Sequence, residues 1–132
     1  MLSVCVLFEY SGPRNVRFVV QKHNADRAGL HYDLRIEYGK KLKSWASRNL
    51  PQAIDGKKIM LFSTPDHDLE WLTFTGVIED GYGKGTVEIW DSGQCEILQW
   101  KKNKIKINFF GKKLFGIYSF ILYKENWLLI KN

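Results

Sequence analysis

The sequence predicts a mainly β protein, a single-domain antiparallel β-barrel with one or two short helical turns. Its apolar residues fall in short runs, many alternating with polar residues, and turn residues separate the runs, which is typical of barrels and sandwiches. Long runs with a helical period are missing. The length of 132 residues fits one domain, and aromatic residues, 14% of the chain, supply large side chains for its core.

Ten runs with the character of strands follow one another along the chain. They cover residues 17–22, 30–38, 42–47, 58–62, 72–78, 86–90, 95–100, 104–110, 114–123 and 127–130. Turn signals separate them, among them Tyr38-Gly39-Lys40, Asp55-Gly56, Asp80-Gly81, Asp91-Ser92-Gly93 and Lys124-Glu125-Asn126. Helical turns are expected within 24–29 and 51–54. The spacing indicates an antiparallel meander that closes on itself, as one domain over residues 1–132.

Composition excludes several classes of protein. Apolar residues make up 45% of the chain and charged residues 26%, which fits a folded soluble protein. No apolar run approaches the roughly 20 residues that cross a bilayer, and the first residues lack the basic leader of a secretory signal. Cys5 and Cys95 have no metal-type spacing, so we expect reduced thiols. We expect a cytoplasmic monomer without membrane contact.

The net charge of +6 is unevenly distributed. Residues 1–100 hold twelve Lys and Arg against thirteen Asp and Glu, whereas residues 101–132 hold eight lysines and one glutamate. A basic surface in one part of a chain is typical of nucleic-acid binding. Lysine-rich surfaces also serve solubility alone, so the charge leaves both interpretations open.

One face of the predicted strand 30–38 carries side chains suited to chemistry. Alternation gives a polar face of His31, Asp33, Arg35 and Glu37 and an apolar face of Tyr32, Leu34, Ile36 and Tyr38. The apolar face is an ordinary core stripe. Burial of the polar row would cost free energy unless the row binds something, whereas on an exposed face it would be a plain salt-bridge ladder.

His23 favours a metal site over a salt-bridge ladder. It lies eight positions before His31, and a short connection would return the chain so that His23 flanks His31 and Asp33. Two imidazoles and one carboxylate suit Mn²⁺, Fe²⁺ or Zn²⁺. Arg35, one step along the same face, would grip an anionic group such as phosphate. His67 lies in a predicted polar loop before a strand and would enter this site from another element.

Eight blocks of the sequence, in order, resemble the 3′-phosphoesterase domain of bacterial DNA ligase D. They are FVVQKH at 18–23, LHYDLRIE at 30–37, LKSWA at 42–46, DHDLE at 66–70, FTGVI at 74–78, YGKGTV at 82–87, WDSG at 90–93 and WLLIK at 127–131. The match extends from about residue 17 to residue 132. With no ligase or polymerase region among these residues, the chain is similar to the stand-alone versions of the domain from archaea and some bacteria.

The resemblance implies a β-barrel enzyme that binds one divalent ion, typically Mn²⁺, and trims 3′ ends of DNA in end-joining repair. A phosphodiesterase step removes a terminal ribonucleoside, and hydrolysis of the remaining 3′-phosphate gives the 3′-OH that a ligase or polymerase needs. By motif, His23, His31 and Asp33 match the family's metal ligands. Arg35 and His67 match residues that contact the phosphate and stabilise the transition state.

The chain departs from the family pattern at three places. Seven residues separate His23 from His31 where the family usually has five, and Ala28-Gly29 looks like the insertion. Trp71 stands where the family has a tyrosine expected at the phosphate. Arg48 is the residue nearest to a basic position expected after the SWA block. Trp71 and Arg48 are therefore secondary site candidates.

Two other functions remain open from the residues alone. His31, Asp33 and His67 also satisfy the two-histidine, one-carboxylate pattern of non-haem iron oxygenases, and hydrolysis without oxygen would exclude that activity. A non-catalytic barrel would bind nucleic acid through its lysines and aromatic residues, and it would show metal-independent DNA affinity without turnover.

The basic quarter of the chain contains a second candidate surface. Alternation over 102–109 places Lys102, Lys104 and Lys106 on one face, with a spacing of about 7 Å, and apolar residues on the other. We expect the apolar face to pack into the barrel. The lysine face is predicted to contact the duplex that flanks the reacting end, the alternative being a solvated face that only aids solubility.

Overall fold

The computed structural model describes residues 10–51 and 57–132. Cys5, most of the predicted helical turn at 51–54 and the turn Asp55-Gly56 lie outside the described residues. The described residues form nine strands and one short 3-10 helix. In chain order these are β1 (Asn15–Ala25), β2 (Gly29–Tyr38), β3 (Lys41–Ser47), β4 (Lys58–His67), the 3-10 helix (Leu69–Leu72), β5 (Gly76–Ile78), β6 (Gly85–Trp100), β7 (Lys104–Phe110), β8 (Phe115–Tyr123) and β9 (Asn126–Lys131).

Eight strands close an antiparallel barrel in the order β1-β2-β3-β4-β9-β8-β7-β6, and pairing of β6 with β1 completes the ring. The predicted β-barrel is therefore confirmed. β5 is an extra strand of three residues paired with the start of β6. Between β4 and β6 the chain crosses from one side of β1–β3 to the other through the 3-10 helix, which contacts β1 and β3. Within the described ranges, no helix is long and apolar enough to cross a membrane.

Alternate residues of the strands point into the barrel and form its main core. β1 and β2 contribute Val16, Phe18, Val20, Leu34 and Ile36, and β7 contributes Ile105, Ile107 and Phe109. Trp45 on β3 is fully buried, with its ring 4.9 Å from that of Phe120. Cys95 is a buried free cysteine, and burial raises the pKa of its thiol to about 12. The apolar faces predicted for β2 and β7 therefore do pack inward.

Two predicted elements differ in the structure. The predicted strand 72–78 is the end of the 3-10 helix followed by the short β5. The segment 24–29 contains no helical turn, because β1 continues to Ala25 and a hairpin turn leads into β2 at Gly29, whose φ of 78° favours glycine. The one short helical turn among the described residues lies at 69–72 instead.

The predicted turn Asp91-Ser92-Gly93 is wrong, because these residues lie inside the continuous strand β6. The carboxylate of Asp91 is buried and accepts backbone N–H groups of Lys112, Lys113 and Leu114 at 3.1, 2.9 and 2.7 Å. These bonds hold the β7–β8 turn against β6. The polar residues that resembled a turn signal thus serve a contact distant in sequence, which a local pattern does not reveal.

Candidate functional site

The outward side of β1–β4 carries all five residues predicted as metal ligands or catalytic groups, and we call this side of the strands the polar face. Two rows of it run across these strands in register, one of Gln21, Asp33, Ala46 and Phe62 and the other of Val19, Arg35, Ser44 and Thr64. His23 and His31 face each other at the end of the β1–β2 pair. Each of these residues alternates with an inward-facing neighbour, as the period of a strand requires.

The segment that crosses from β4 to β6 covers the polar face. Leu72 packs against Val19 and Leu42, and the Gln21 amide donates to the carbonyls of Trp71 and Phe74 at 2.9 and 3.0 Å. A cleft of about 690 Å³ remains, lined by β1–β4, the covering segment and the turn before β6. Charged groups of the polar face are therefore buried even though they point away from the main core.

His23, His31 and Asp33 converge within the cleft. One potential ligand atom from each lies within 4.8 Å of the other two. Asp33 Oδ2 is 3.3 Å from His23 Nδ1 and 3.3 Å from His31 Nε2. The two imidazole rings lie 4.7 Å apart. Strand pairing produces this arrangement, since His23 stands opposite His31 and Asp33 is the next outward residue of β2. We call these three residues the triad.

Backbone carbonyls orient both imidazoles of the triad. His23 Nε2–H donates to the Gly83 carbonyl at 2.7 Å, and His31 Nδ1–H donates to the Gly29 carbonyl at 3.0 Å. In neutral rings, the nitrogens that face Asp33 then carry lone pairs. Three acceptor atoms thus point at one another, an arrangement that a cation stabilises and that resembles the second shell of metal-binding histidines. The triad fits a divalent metal ion.

The triad contains an ionised carboxylate, whose buried negative charge a cation would compensate. Burial opposes ionisation of Asp33, but hydrogen bonds that protonated His23 and His31 donate, together with the charge of Arg35, hold the pKa of its carboxyl well below the ordinary value. The hydrogen bond with Asp33 raises the pKa of His31, although burial works against it. Asp33 is 6% exposed, so this carboxylate is a buried negative charge.

Arg35 is fixed beside the triad by its neighbours. Its Nε donates to Gln21 Oε1 at 2.8 Å, and its Nη2 lies 3.6 Å from Asp33 Oδ2. Its third nitrogen, Nη1, lies 3.1 Å from His67 Nδ1. Arg35 is only 3% exposed, so these contacts hold a buried guanidinium in the cleft. Gln21 was not among the predicted site residues, although its place between Val19 and His23 on the outward side of β1 was a usable signal.

His67 enters the site from the end of β4, where a polar loop was predicted, because β4 continues to His67 instead of ending at residue 62. Its Nδ1 lies 2.9 Å from the Pro65 carbonyl and 3.5 Å from Ser44 Oγ. Burial and the charge of Arg35 lower the pKa of His67, which favours the neutral ring. The oxygenase ligand set of His31, Asp33 and His67 is not assembled, because His67 faces Arg35 rather than the triad.

Trp71 packs against Arg35 and His67, the two residues predicted to contact the phosphate. Its ring centroid lies 5.3 Å from the Arg35 guanidinium carbon and 5.1 Å from the His67 ring. A cation over an indole and an edge-to-face ring pair are both favourable contacts. Trp71 therefore supports Arg35 and His67 from the 3-10 helix and carries no hydroxyl toward the cleft.

The predicted insertion and Arg48 meet at the mouth of the cleft. Arg48 lines the cleft, and its guanidinium donates to the carbonyl of Ala28. The carbonyl of the next residue, Gly29, is the one that orients His31. Both residues of the predicted insertion, one in the β1–β2 turn and one at the start of β2, therefore supply a carbonyl oxygen to a candidate site residue.

The lysine face lies on the opposite side of the barrel from β3, away from the cleft. β7 stands opposite β3 in the ring, with three strands between them in either direction. Lys104 and Lys106 are half-buried on the outward side of β7, and Lys102 is exposed in the preceding turn. That these lysines contact nucleic acid stays a prediction.

Comparison with known proteins gives a family match over most of the chain. The family model for the DNA ligase D 3′-phosphoesterase domain matches residues 21–122. The multifunctional non-homologous end joining protein LigD of Mycolicibacterium smegmatis is 38% identical over 128 residues, which is 86% of this chain and 16% of that protein. LigD of Mycobacterium tuberculosis is 37% identical over 118 residues, and LigD of Pseudomonas aeruginosa is 35% identical over 127 residues. These alignments cover 84% and 88% of this chain and 15% of each relative, so the chain spans about a sixth of the length of these relatives.

Proposed function

This chain belongs to the DNA ligase D 3′-phosphoesterase family, and from that premise we propose that it is a metal-dependent phosphoesterase that heals 3′ ends of DNA in end-joining repair. The observation that carries the proposal is the triad of converging acceptor atoms, with Arg35 held beside it. A metal ion next to a fixed guanidinium is suited to bind a phosphate. The family membership supplies the class of reaction, and the cleft supplies residues for it.

We propose Mn²⁺ as the metal ion, held by His23 Nδ1, His31 Nε2 and Asp33 Oδ2, although other divalent transition metals have similar ligand preferences. When bound, such an ion polarises a phosphate oxygen and lowers the pKa of a bound water. The carbonyls of Gly83 and Gly29 keep both imidazoles in the tautomers that such binding requires.

Arg35 and His67 would act on the phosphate itself. The guanidinium of Arg35 is anchored through Nε to Gln21, and its two remaining nitrogens would donate to a bound anion in place of their present contacts with Asp33 and His67. A planar guanidinium can hold two phosphate oxygens at once. Neutral His67 would orient the phosphate by a hydrogen bond, and Trp71 keeps both groups in place.

The proposed substrate is a primer-template with a blocked 3′ end. Water would add to the phosphorus of the terminal diester and release a ribonucleoside, which leaves a 3′-phosphate. A second hydrolysis would release inorganic phosphate and leave a 3′-OH. A ligase or polymerase of the end-joining pathway requires that hydroxyl and is the expected partner.

The proposal is tested with a labelled primer-template that ends in one ribonucleotide. The protein is incubated with it in the presence and absence of Mn²⁺, and the product ends are resolved by electrophoresis. We expect a 3′-phosphate and then a 3′-OH, both dependent on Mn²⁺. Metal-independent DNA binding without any product would instead establish a non-catalytic binding barrel.

A further inference from the structure

We propose that two exposed aromatic residues, Tyr82 and Phe62, contact the nucleobases on either side of the phosphate in the cleft. We call these two residues the aromatic rim, and the inference rests on the phosphoesterase function proposed above. Both side chains line the same cleft as the triad. Tyr82 is 72% exposed and Phe62 is 43% exposed, so both rings are accessible to a ligand.

Phe62 lies on the β4 side of the triad. It stands in one row of the polar face with Asp33 and Ala46, two strands away from the carboxylate. At the usual distance between neighbouring strands, the two backbones are about 10 Å apart. Ala46, the residue between them, is small and apolar, so the surface from the triad to the Phe62 ring is low and open.

Tyr82 lies on the other side of the triad, in a turn that is fixed to it. The Lys84 N–H donates to the Gly81 carbonyl at 3.2 Å and closes the turn, with Tyr82 and Gly83 at its corner. The Gly83 carbonyl accepts from His23, and a Cβ at Gly83 would lie 3.3 Å from the His23 ring. A further bond from the Asp26 N–H to the Lys84 carbonyl joins this turn to the β1–β2 hairpin. The exposed ring of Tyr82 is therefore carried by backbone held against the triad.

The chemistry of the cleft between the rim residues suits a nucleotide. Charged groups lie at the triad, Arg35 and Arg48, whereas Ala25, Ala28 and Ile78 make much of the wall apolar. A diester phosphate at the triad carries one nucleoside on each side, and the rim has one aromatic ring on each side. Stacking on an aromatic ring is tolerant of base identity, which suits an enzyme that must accept any terminal sequence.

The test compares three oligonucleotides that differ only at the 3′ end. One carries all its bases, one is abasic at the terminal ribonucleoside, and one is abasic at the penultimate nucleoside. Dissociation constants are measured by fluorescence anisotropy without added metal, and KM is measured with Mn²⁺. The variants are Tyr82→Ala, Tyr82→Phe, Phe62→Ala and the control Phe115→Ala, which removes a 60% exposed ring on β8, opposite β2 in the ring.

We expect the unmodified protein to bind the complete oligonucleotide about 5- to 20-fold more tightly than either abasic one, as base stacking predicts. Tyr82→Ala and Phe62→Ala should each abolish this preference at one of the two positions, with the matching change in KM. Tyr82→Phe and Phe115→Ala should keep it.

Unchanged preferences in both alanine variants would overturn the aromatic rim. The aromatic rim would also be overturned if the alanine variants had an altered sedimentation coefficient but unchanged affinity for the oligonucleotides. That result would show that these rings pack against a second copy of the chain. A protein without Mn²⁺-dependent turnover would contradict the phosphoesterase function, while the dissociation constants would still decide whether the rim contacts bases.

Discussion

The polar face of β1–β4 and the lysine face of β7 both arise from strand alternation, but they differ in burial and in the contacts between their charged groups. On both, polar side chains point outward from strands whose other side packs into the main core. On the polar face the charged groups are buried and in contact, as the distances of 3.3 to 3.6 Å around Asp33 show. On β7, Lys104 and Lys106 carry charges of one sign along a single strand.

The difference between them comes from what lies on top of the strands. The covering segment between β4 and β6 lies over the polar face. Its Leu72 packs onto this face, and two of its backbone carbonyls accept hydrogen bonds from Gln21. Burial then makes each charge expensive unless another group compensates it. A covered face with charges of both signs can bind a metal ion and a phosphate, whereas a face of lysines offers only attraction to anions.

The largest expected effect is that of Asp33→Asn. Loss of the carboxylate removes the one formal negative charge of the triad, so Mn²⁺-dependent hydrolysis should fall on the order of a thousandfold or more. The matched control is Glu37→Gln, which changes a carboxylate on the same strand that pairs with Arg17 at 2.9 Å instead. Equal losses in the two variants would show that the triad has no special role.

Arg35→Ala should have the next largest effect, a loss of about a hundredfold to a thousandfold in kcat, which is typical of a group that stabilises transition-state charge. Arg35→Lys should restore only part of it, because an ammonium cannot hold two phosphate oxygens in the same plane. The measurement is the rate of release of phosphate from a 3′-phosphorylated oligonucleotide. Full activity of the lysine variant would mean that charge alone suffices at this position.

A smaller effect is expected for Trp71→Ala, which removes the ring beneath Arg35 and His67. Misplacement of these two groups should lower kcat about tenfold and leave metal affinity unchanged. The control is Trp90→Ala on β6, whose ring also has a cation over it, Lys113 Nζ at 5.0 Å, but which does not line the cleft. If both variants lose the same activity, the effect of Trp71 is one of stability.

The smallest effect is expected when Lys102, Lys104 and Lys106 are all replaced by glutamine. Since β7 stands opposite β3, only duplex that continues around the barrel from the cleft would reach this face, so the effect should be small. We expect kcat to stay the same and KM for primer-template to rise about twofold with a flatter salt dependence, because fewer counterions are released without these lysines. An unchanged salt dependence would show that the lysine face is only a solvated surface.

Alternation in the sequence predicted which residues share a face of a strand. It did not predict features that depend on contacts between residues distant in sequence. The division of β2 into a polar row around Asp33 and an inward row around Leu34 follows from strand period alone. The entry of His67 from β4 agrees with the expectation that it would come from another element. The continuity of β6 through Asp91 did not follow, because hydrogen bonds to residues 112–114 decide it. Gln21 was missed because its partners, Arg35 and the covering segment, lie far away in sequence.

We predict that the three acceptor atoms of the triad hold a metal ion independently of Arg35 and His67. Calorimetric titration measures the binding of Mn²⁺ to the unmodified protein and to the variants Asp33→Asn, Glu37→Gln and Arg35→Ala. We expect one bound equivalent in the unmodified protein, in Glu37→Gln and in Arg35→Ala, and a loss of binding in Asp33→Asn. Undiminished binding by Asp33→Asn, or loss of the ion in Arg35→Ala, would show that the triad is not an independent metal site.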